Sequence, residues 1–171
     1  KAARDVSDLI LVGHSMGGLS VPLAATGLRV EKLVLLSALV PRPGFSMNQI
    51  RAAEPVDGHY DLQHAHFTDL GDDVWRIGPD TVRDMFFNDV PAEITLRATR
   101  NLRPQCYRIM REPTPLELWP DVETAYIVCR GDRAVNPDWG RWVAETQLGV
   151  EAVEMEGGHS PFLSRPAELA A

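Results

Sequence analysis

A serine between two glycines, in Gly13-His14-Ser15-Met16-Gly17, is the pattern in this chain that most directly indicates chemistry. A serine hydroxyl is a weak nucleophile, and a sharp strand-to-helix turn is a setting in which proteins expose and activate one. The flanking glycines let the backbone pass through such a turn without clashes. The backbone N–H of Met16, at the start of the helix that follows, is a candidate donor to the oxyanion of a tetrahedral intermediate. The pattern therefore predicts acyl transfer at Ser15.

An activated serine also needs a base to take its proton and a carboxylate to orient that base. Asp132 follows one apolar run of the chain, and His159 follows another after two glycines. Because functional side chains gather at the carboxyl ends of parallel strands, we predict that Asp132 is the acid and His159 the base. Asp138 and Glu123, on either side of the same run, are the alternatives for the acid. The order Ser15, aspartate, histidine differs from the orders in both unrelated serine-protease folds.

The elements that must position these residues follow an α/β pattern at both ends of the chain. Short apolar runs predict strands over residues 9–12, 33–36, 125–129 and 150–155. Helices are predicted over residues 16–27 and 137–148, and each ends at a glycine. We therefore predict a three-layer α/β core with a mostly parallel sheet, formed by residues 1–40 and 121–171.

Residues 41–120 break this pattern and predict a helical cap inserted between the second and third of these strands. Prolines punctuate the segment, no good strand is apparent, and the best helices are predicted over residues 80–88 and 92–102. Aromatic residues are concentrated here: Phe45, Tyr60, Phe67, Trp75, Phe86, Phe87, Tyr107 and Trp119. They either line an apolar pocket or form the core of the cap itself, and the second interpretation is the simpler one for any single residue.

Composition argues against several other functions. The chain has 171 residues, of which 44% are hydrophobic, and this is enough for one core. A net charge of −7 argues against nucleic acid or an anionic membrane as a partner. The longest apolar stretch, residues 33–40, is well short of the roughly 20 residues that span a bilayer. Two cysteines without a CxxC pair predict neither a disulfide framework nor a zinc site, and indicate a reducing, cytoplasmic location.

Other polar residues have simpler interpretations. A metal site in the cap would have to use residues from one group: His59, His64, His66, Asp57, Asp61 and Asp69. Their spacing fits neither a zinc finger nor an HExxH helix, so we predict a polar surface segment and no metal. His14 is expected to pack beneath the sheet without a catalytic role. We expect Cys129 to be a small core residue, and Cys106 has no activating neighbour motif.

Three segments resemble the α/β-hydrolase fold family, within it the esterase and hydroxynitrile-lyase-like group of bacterial-type serine hydrolases: LILVGHSMGGL, YIVCRGDRAVNPDW and GGHSPFLSRPAEL. The order Ser15, Asp132, His159 is also the order of that family. The resemblance implies that these residues form a triad that hydrolyses an ester or similar small acyl compound without a cofactor. In the lyase members a lysine follows the catalytic histidine, and Ser160 occupies that position here, which favours hydrolysis.

The same family has further strands before the nucleophile strand, and residues 1–8 have no room for them. We therefore expect that the first third of the family fold is missing, together with the second oxyanion donor that a loop in that part normally supplies. Losing one such donor costs about 2.7–4 kcal/mol of transition-state stabilisation. The nucleophile strand would then lie at an exposed apolar edge of the sheet.

Three functions remain open from the sequence. The first is a serine hydrolase acting on a small-molecule acyl substrate. The second is a hydroxynitrile-lyase-type enzyme on the same scaffold, and the third is an incomplete or non-catalytic scaffold that only binds a ligand. An oligomer is compatible with the sequence, and the identity of the substrate is not readable from it.

Overall fold

The computed structural model describes residues 6–54 and 65–171, and a four-stranded parallel sheet lies at its centre. The described strands are β1 (Leu9–His14), β2 (Val30–Leu36), β3 (Phe67–Asp69), β4 (Val74–Ile77), β5 (Gln105–Cys106), β6 (Glu123–Cys129) and β7 (Val153–Met155). The central sheet has the order β1-β2-β6-β7, and every neighbouring pair in it is parallel. The predicted parallel α/β core is thus confirmed.

Helices and helical turns connect these strands. The α-helices are α1 (Val21–Ala25), α2 (Met47–Ala53), α3 (Pro79–Thr81), α4 (Ala92–Asn101), α5 (Arg108–Arg111), α6 (Pro137–Val143), α7 (Pro161–Ser164) and α8 (Pro166–Leu169). A 3-10 helix over Ser15–Leu19 precedes α1, and wider π-helical turns follow α3 and α6, over Val82–Phe86 and Ala144–Leu148.

The helix predicted over residues 16–27 is divided in two, into the 3-10 helix and α1. Pro22 lies in the first turn of α1. Because Pro22 has no N–H, a continuous α-helix through it would lose the bond to the carbonyl of residue 18 and crowd that carbonyl. By contrast, α6 and its π-helical turn follow the prediction for residues 137–148. They end at Gly149, whose φ of 67° lies in the left-handed region that favours glycine.

The core forms where β2 and β6 face α6. Leu33 and Leu35 alternate along β2 and are fully buried, as is Tyr126 on β6. They pack with Trp139 of α6, which is also fully buried. Strand β1 differs, because Ile10 is 53% exposed at the edge of the described sheet. Burial is therefore concentrated on the two central strands.

The insertion between β2 and β6 contains strands, contrary to the expectation that it has none. Strands β3, β4 and β5 form a small antiparallel sheet in that order. They are two to four residues long, too short to show the period-two alternation that predicts a strand. The turn from β3 to β4 does have a local sequence pattern, an aspartate followed two residues later by a glycine. Asp69 accepts a hydrogen bond from the N–H of Gly71 (2.8 Å), whose φ is 85°.

The two helices predicted in the insertion are present. Residues 80–88 correspond to α3 with its π-helical turn, and residues 92–102 to α4. The division of the chain into domains at residues 40 and 121 stays a prediction. Within the described ranges, no helix has the length and apolar character required to cross a bilayer.

Candidate active site

Ser15 lies at the sharp turn between β1 and the 3-10 helix. Its φ is 53°, a left-handed conformation that costs energy in a residue with a side chain. The carbonyl of Ser15 accepts a hydrogen bond of 3.0 Å from the N–H of Leu39, which lies just beyond β2. The turn is therefore tied to the segment that follows β2, and Ser15 forms part of the wall of a cavity.

Two close backbone approaches define this turn. A Cβ on Gly13 would lie 2.5 Å from Cγ2 of Val21, and one on Gly18 would lie 2.2 Å from the carbonyl oxygen of Leu39. Gly17 has nothing within 4 Å of its Cβ position. The sequence pattern pointed to Gly13 and Gly17 as the glycines that the turn requires. In the structure the second position that needs a glycine is Gly18 and not Gly17, because Gly18 packs against the backbone of Leu39 just beyond β2.

Asp132 is buried in the loop that follows β6, and both of its carboxylate oxygens are occupied. Oδ1 accepts hydrogen bonds from the N–H groups of Ala134 (2.7 Å) and Val135 (2.9 Å). Oδ2 lies 2.8 Å from Nδ1 of His159. The two backbone donors hold the carboxylate plane independently of the imidazole. The carboxylate can therefore hold the imidazole ring in one orientation.

His159 is 1% exposed and follows β7. Because an ionised carboxylate can only accept a hydrogen bond, the proton of the neutral ring lies on Nδ1, and Nε2 keeps its lone pair. Nε2 is buried and has no hydrogen-bond partner among the described residues. The structure thus brings Asp132 and His159 into contact. Ser15 and His159 share no hydrogen bond in the described structure, although both lie at the carboxyl ends of the central strands.

The two alternative acids lie elsewhere. Asp138 pairs with Arg141 (2.7 Å), and Glu123 pairs with Lys32 (2.6 Å). Their side chains are 80% and 68% exposed. Both are solvent-facing partners of cations, and the structure brings Asp132 rather than either of them to the imidazole.

His14 does not pack beneath the sheet as expected. The loop after β7 reaches the end of β1, so Nε2 of His14 donates to the carbonyl oxygen of His159 (2.7 Å). The two imidazole rings lie 4.6 Å apart, and Phe162 packs edge-on against His14. Burial of the imidazole lowers the pKa of His14 to about 4. His14 is therefore a neutral donor that supports the backbone of His159.

A cavity of about 380 Å³ opens beside Ser15 and Met16. Side chains of the insertion form much of its wall: Phe67, Trp75, Ile77, Met85, Phe86 and Tyr107. None of its described lining residues is charged. Phe86 also packs edge-on against the ring of His159, with ring centres 5.3 Å apart. The cavity is thus largely apolar and adjoins Ser15, and one of its lining residues, Phe86, contacts the histidine ring.

Some aromatic residues of the insertion line the cavity and others lie away from it. Phe67, Trp75, Phe86 and Tyr107 line the cavity, whereas Phe87 is buried and Phe45 is exposed under the guanidinium of Arg42. Both interpretations of these aromatics therefore apply, each to different residues. Tyr60 lies outside the described residues.

The candidate metal cluster is described only at His66 and Asp69, and its other four members lie outside the described residues. Over residues 6–54 and 65–171, no group of three or more histidine, cysteine or acidic side chains is arranged to hold a metal ion. The absence of a metal site stays a prediction. Cys129 is fully buried, as expected of a core residue, and Cys106 is half-buried.

Comparison with known proteins identifies the family. The sequence pattern of the Alpha/beta hydrolase family matches residues 2–171. The chain belongs to the α/β-hydrolase family. This α/β hydrolase is similar to methyl jasmonate esterase 1 of Vitis vinifera, with 27% identity over 178 residues, 95% of this chain and 67% of that protein. It is also similar to the alpha-hydroxynitrile lyase of Arabidopsis thaliana, with 25% identity over 180 residues, 99% of this chain and 70% of that protein.

A solved structure gives the same answer for the fold. The pyrethroid hydrolase of Sphingobium faniae JZ-2 superposes with a TM-score of 0.79 and 25% identity. The match covers 98% of this α/β hydrolase and 70% of that chain. The predicted family and fold are thus confirmed.

The close approach at Gly18 leads to a stability prediction with a matched control. Gly18→Ala places a methyl group against the Leu39 carbonyl, so the backbone must shift, and we expect a loss of about 1–3 kcal/mol in the free energy of unfolding. Gly17→Ala, in open space one residue away, should be neutral or slightly stabilising. Urea unfolding of both variants measures this difference. Equal losses in the two would contradict the assigned packing.

The buried, neutral His14 leads to a pH prediction. Its folded-state pKa of about 4 lies below its ordinary value of 6.5, so between these values the unfolded chain binds the additional proton. Stability is therefore lost as the pH falls from about 6.5 towards 4. Between pH 7 and pH 5 the unfolding free energy should fall by about 2 kcal/mol more in the wild type than in His14→Gln. Urea unfolding at the two pH values measures these free energies. Equal decreases in the wild type and in His14→Gln would show that His14 does not titrate in this way.

Proposed function

We propose that this α/β hydrolase cleaves uncharged carboxylic esters through an acyl-enzyme, with Ser15 as nucleophile, His159 as base and Asp132 as the orienting acid. One observation carries the proposal: the buried contact of 2.8 Å between Nδ1 of His159 and Oδ2 of Asp132. Because this contact places the ring proton on Nδ1, the buried Nε2 can accept a proton. The strained turn that presents Ser15 supports the same assignment.

Acylation uses each of these groups in turn. Oγ of Ser15 attacks the ester carbonyl carbon while its proton passes to Nε2 of His159. The resulting imidazolium is stabilised by the carboxylate of Asp132, which two backbone N–H groups already hold in place. The tetrahedral intermediate collapses as the alcohol oxygen leaves and takes the proton from Nε2.

Deacylation repeats the sequence with water. A water molecule gives its proton to Nε2 of His159 as its oxygen attacks the acyl carbon, and the carboxylic acid is released when Ser15 regains a proton. In both halves the negative oxygen needs hydrogen-bond donors. The N–H of Met16, at the start of the 3-10 helix and beside the cavity, is the donor that we propose.

The cavity supports an apolar ester as the substrate. Its volume of about 380 Å³ lies within the ordinary range for small-molecule sites, and its described lining carries no charge to pair with an ionic substrate. An unpaired charge in such surroundings is strongly disfavoured. The names of the similar proteins agree with this class, since one is a methyl jasmonate esterase and another a pyrethroid hydrolase.

A lyase is the second candidate, since an alpha-hydroxynitrile lyase is among the similar proteins. The residue after His159 argues against it. The resemblance to lyase members implies a lysine at that position, and Ser160 occupies it and is buried. We therefore place ester hydrolysis first.

The proposed triad predicts selective covalent labelling at Ser15. A fluorophosphonate should add one adduct to the wild type, seen by intact-mass spectrometry, and none to Ser15→Ala or His159→Ala. Their ester turnover should fall by about 10⁶-fold, and that of Asp132→Asn by about 10⁴-fold, because orientation is lost but the base remains.

Ser20→Ala and Asp138→Asn are the matched controls. Ser20 is an exposed serine a few residues further along the chain, and Asp138 is the exposed acid paired with Arg141. Both variants should label like the wild type. An adduct that persists in Ser15→Ala would identify a different nucleophile, and no adduct on a folded wild-type chain would favour a scaffold that only binds a ligand.

The uncharged cavity predicts discrimination between two esters of similar length. The kcat/KM for p-nitrophenyl hexanoate should exceed that for mono-p-nitrophenyl adipate, which ends in a carboxylate, by about 10-fold to 100-fold. Release of p-nitrophenol measures both. In the same preparation, mandelonitrile should release no cyanide. Cyanide release without hydrolysis of either ester would instead favour the lyase.

A further inference from the structure

Asn88, in the insertion, touches the loop that carries Asp132. It lies just beyond the π-helical turn that follows α3. Its side-chain amide nitrogen donates a hydrogen bond of 3.0 Å to the carbonyl oxygen of Gly131, the residue directly before Asp132. A side chain of the insertion thus binds the backbone of the residue directly before Asp132, the proposed acid.

The same side chain also touches the loop that carries His159. A Cβ on Gly158, directly before His159, would lie 2.2 Å from Oδ1 of Asn88 and 2.7 Å from Oδ1 of Asp89. The backbone of Gly158 therefore lies close against the side chain of Asn88, and a side chain at position 158 would displace it. Oδ1 of Asn88 is itself buried in this contact.

The two loops are already joined to each other. The N–H of Gly131 donates to the carbonyl oxygen of Gly157 (2.8 Å), and the N–H of Arg130 donates to that of Met155 (2.9 Å). These bonds set the spacing of the loops at their base. Asn88 adds a contact on the residue that precedes each proposed catalytic side chain.

The segment that contains Asn88 also reaches the cavity. Met85 and Phe86 line the cavity, and Phe86 packs against the ring of His159. The insertion is thus joined to the histidine through a ring contact and to both loops through Asn88. Beside it, Asp89 faces Arg165 across 3.8 Å.

We propose that Asn88 is a positioning residue that fixes the loops of Asp132 and His159 relative to each other. The inference rests on the proposed function, since it assigns Asn88 a role in aligning that triad. Misplacement of reacting groups by about 1 Å can cost on the order of 100-fold in rate, so one lost contact of this kind can lower turnover without any change in the cavity wall.

The first test is kinetic. Asn88→Ala removes both contacts, and Asn88→Leu keeps similar bulk without the donor. With p-nitrophenyl hexanoate, both should lower kcat by about 10-fold to 100-fold and change KM by less than about threefold. Asn101→Ala is the matched control and should stay within about twofold of the wild type. Asn101 also donates from its side-chain amide to a backbone carbonyl at 3.0 Å, but within α4.

The second test does not depend on turnover. The proton on Nδ1 of His159 should give a downfield NMR signal in the wild type and in Asn101→Ala. In Asn88→Leu the signal should be broadened or lost while the thermal midpoint stays close to that of the wild type. The NMR signal measures the hydrogen bond between His159 and Asp132 directly.

The outcomes separate the two proposals. An unchanged signal and unchanged kcat in Asn88→Leu would overturn the positioning role, as would a rise in KM alone. A wild type without Ser15-dependent turnover would overturn the proposed function. The NMR comparison would then still decide whether Asn88 holds the two loops.

Discussion

Parallel pairing of the central strands is the constraint on which the site depends. His14, the last residue of β1, is level with Leu36 at the end of β2, and Leu36 is level with Ile127 on β6. Two residues further along β6, Cys129 is level with Met155 at the end of β7. All four strands thus finish at nearly the same height. The loops that leave them have only a few residues in which to bring their polar side chains together, and the register makes that distance short.

The chemical setting follows from how these loops pack. The carboxylate of Asp132 receives two backbone donors and the imidazole of His159, so its hydrogen-bonding capacity is met without water. The second imidazole nearby, His14, is kept neutral by burial, so it supports the histidine loop without adding a positive charge there. An uncharged cavity wall completes surroundings in which electrostatic interactions are stronger than in water.

The sequence predicts those parts of the structure that depend on neighbouring residues. The strands, the turn at Ser15 and the loop positions of Asp132 and His159 all follow from apolar runs, glycines and chain order. Strands β3 to β5 were missed because each is only two to four residues long and carries almost no local pattern, and β5 pairs with a strand distant in sequence. The roles of His14, Gly18 and Asn88 were missed for a related reason. Each depends on a contact across the fold, and the bond from Asn88 to Gly131 spans 43 positions.

The small antiparallel sheet of the insertion places part of the cavity wall on residues distant along the chain from the proposed triad. Register pairs Phe67 with Ile77 and Trp75 with Gln105, so their side chains share one face, and all four line the cavity. None of them contributes to the bonds on Asp132. A combinatorial library confined to these four positions would therefore reshape the binding surface while leaving the hydrogen bonds at the strand ends untouched. Residues 86–89 should be left out of such a library, because there the cavity wall and the support of the histidine loop are the same piece of chain.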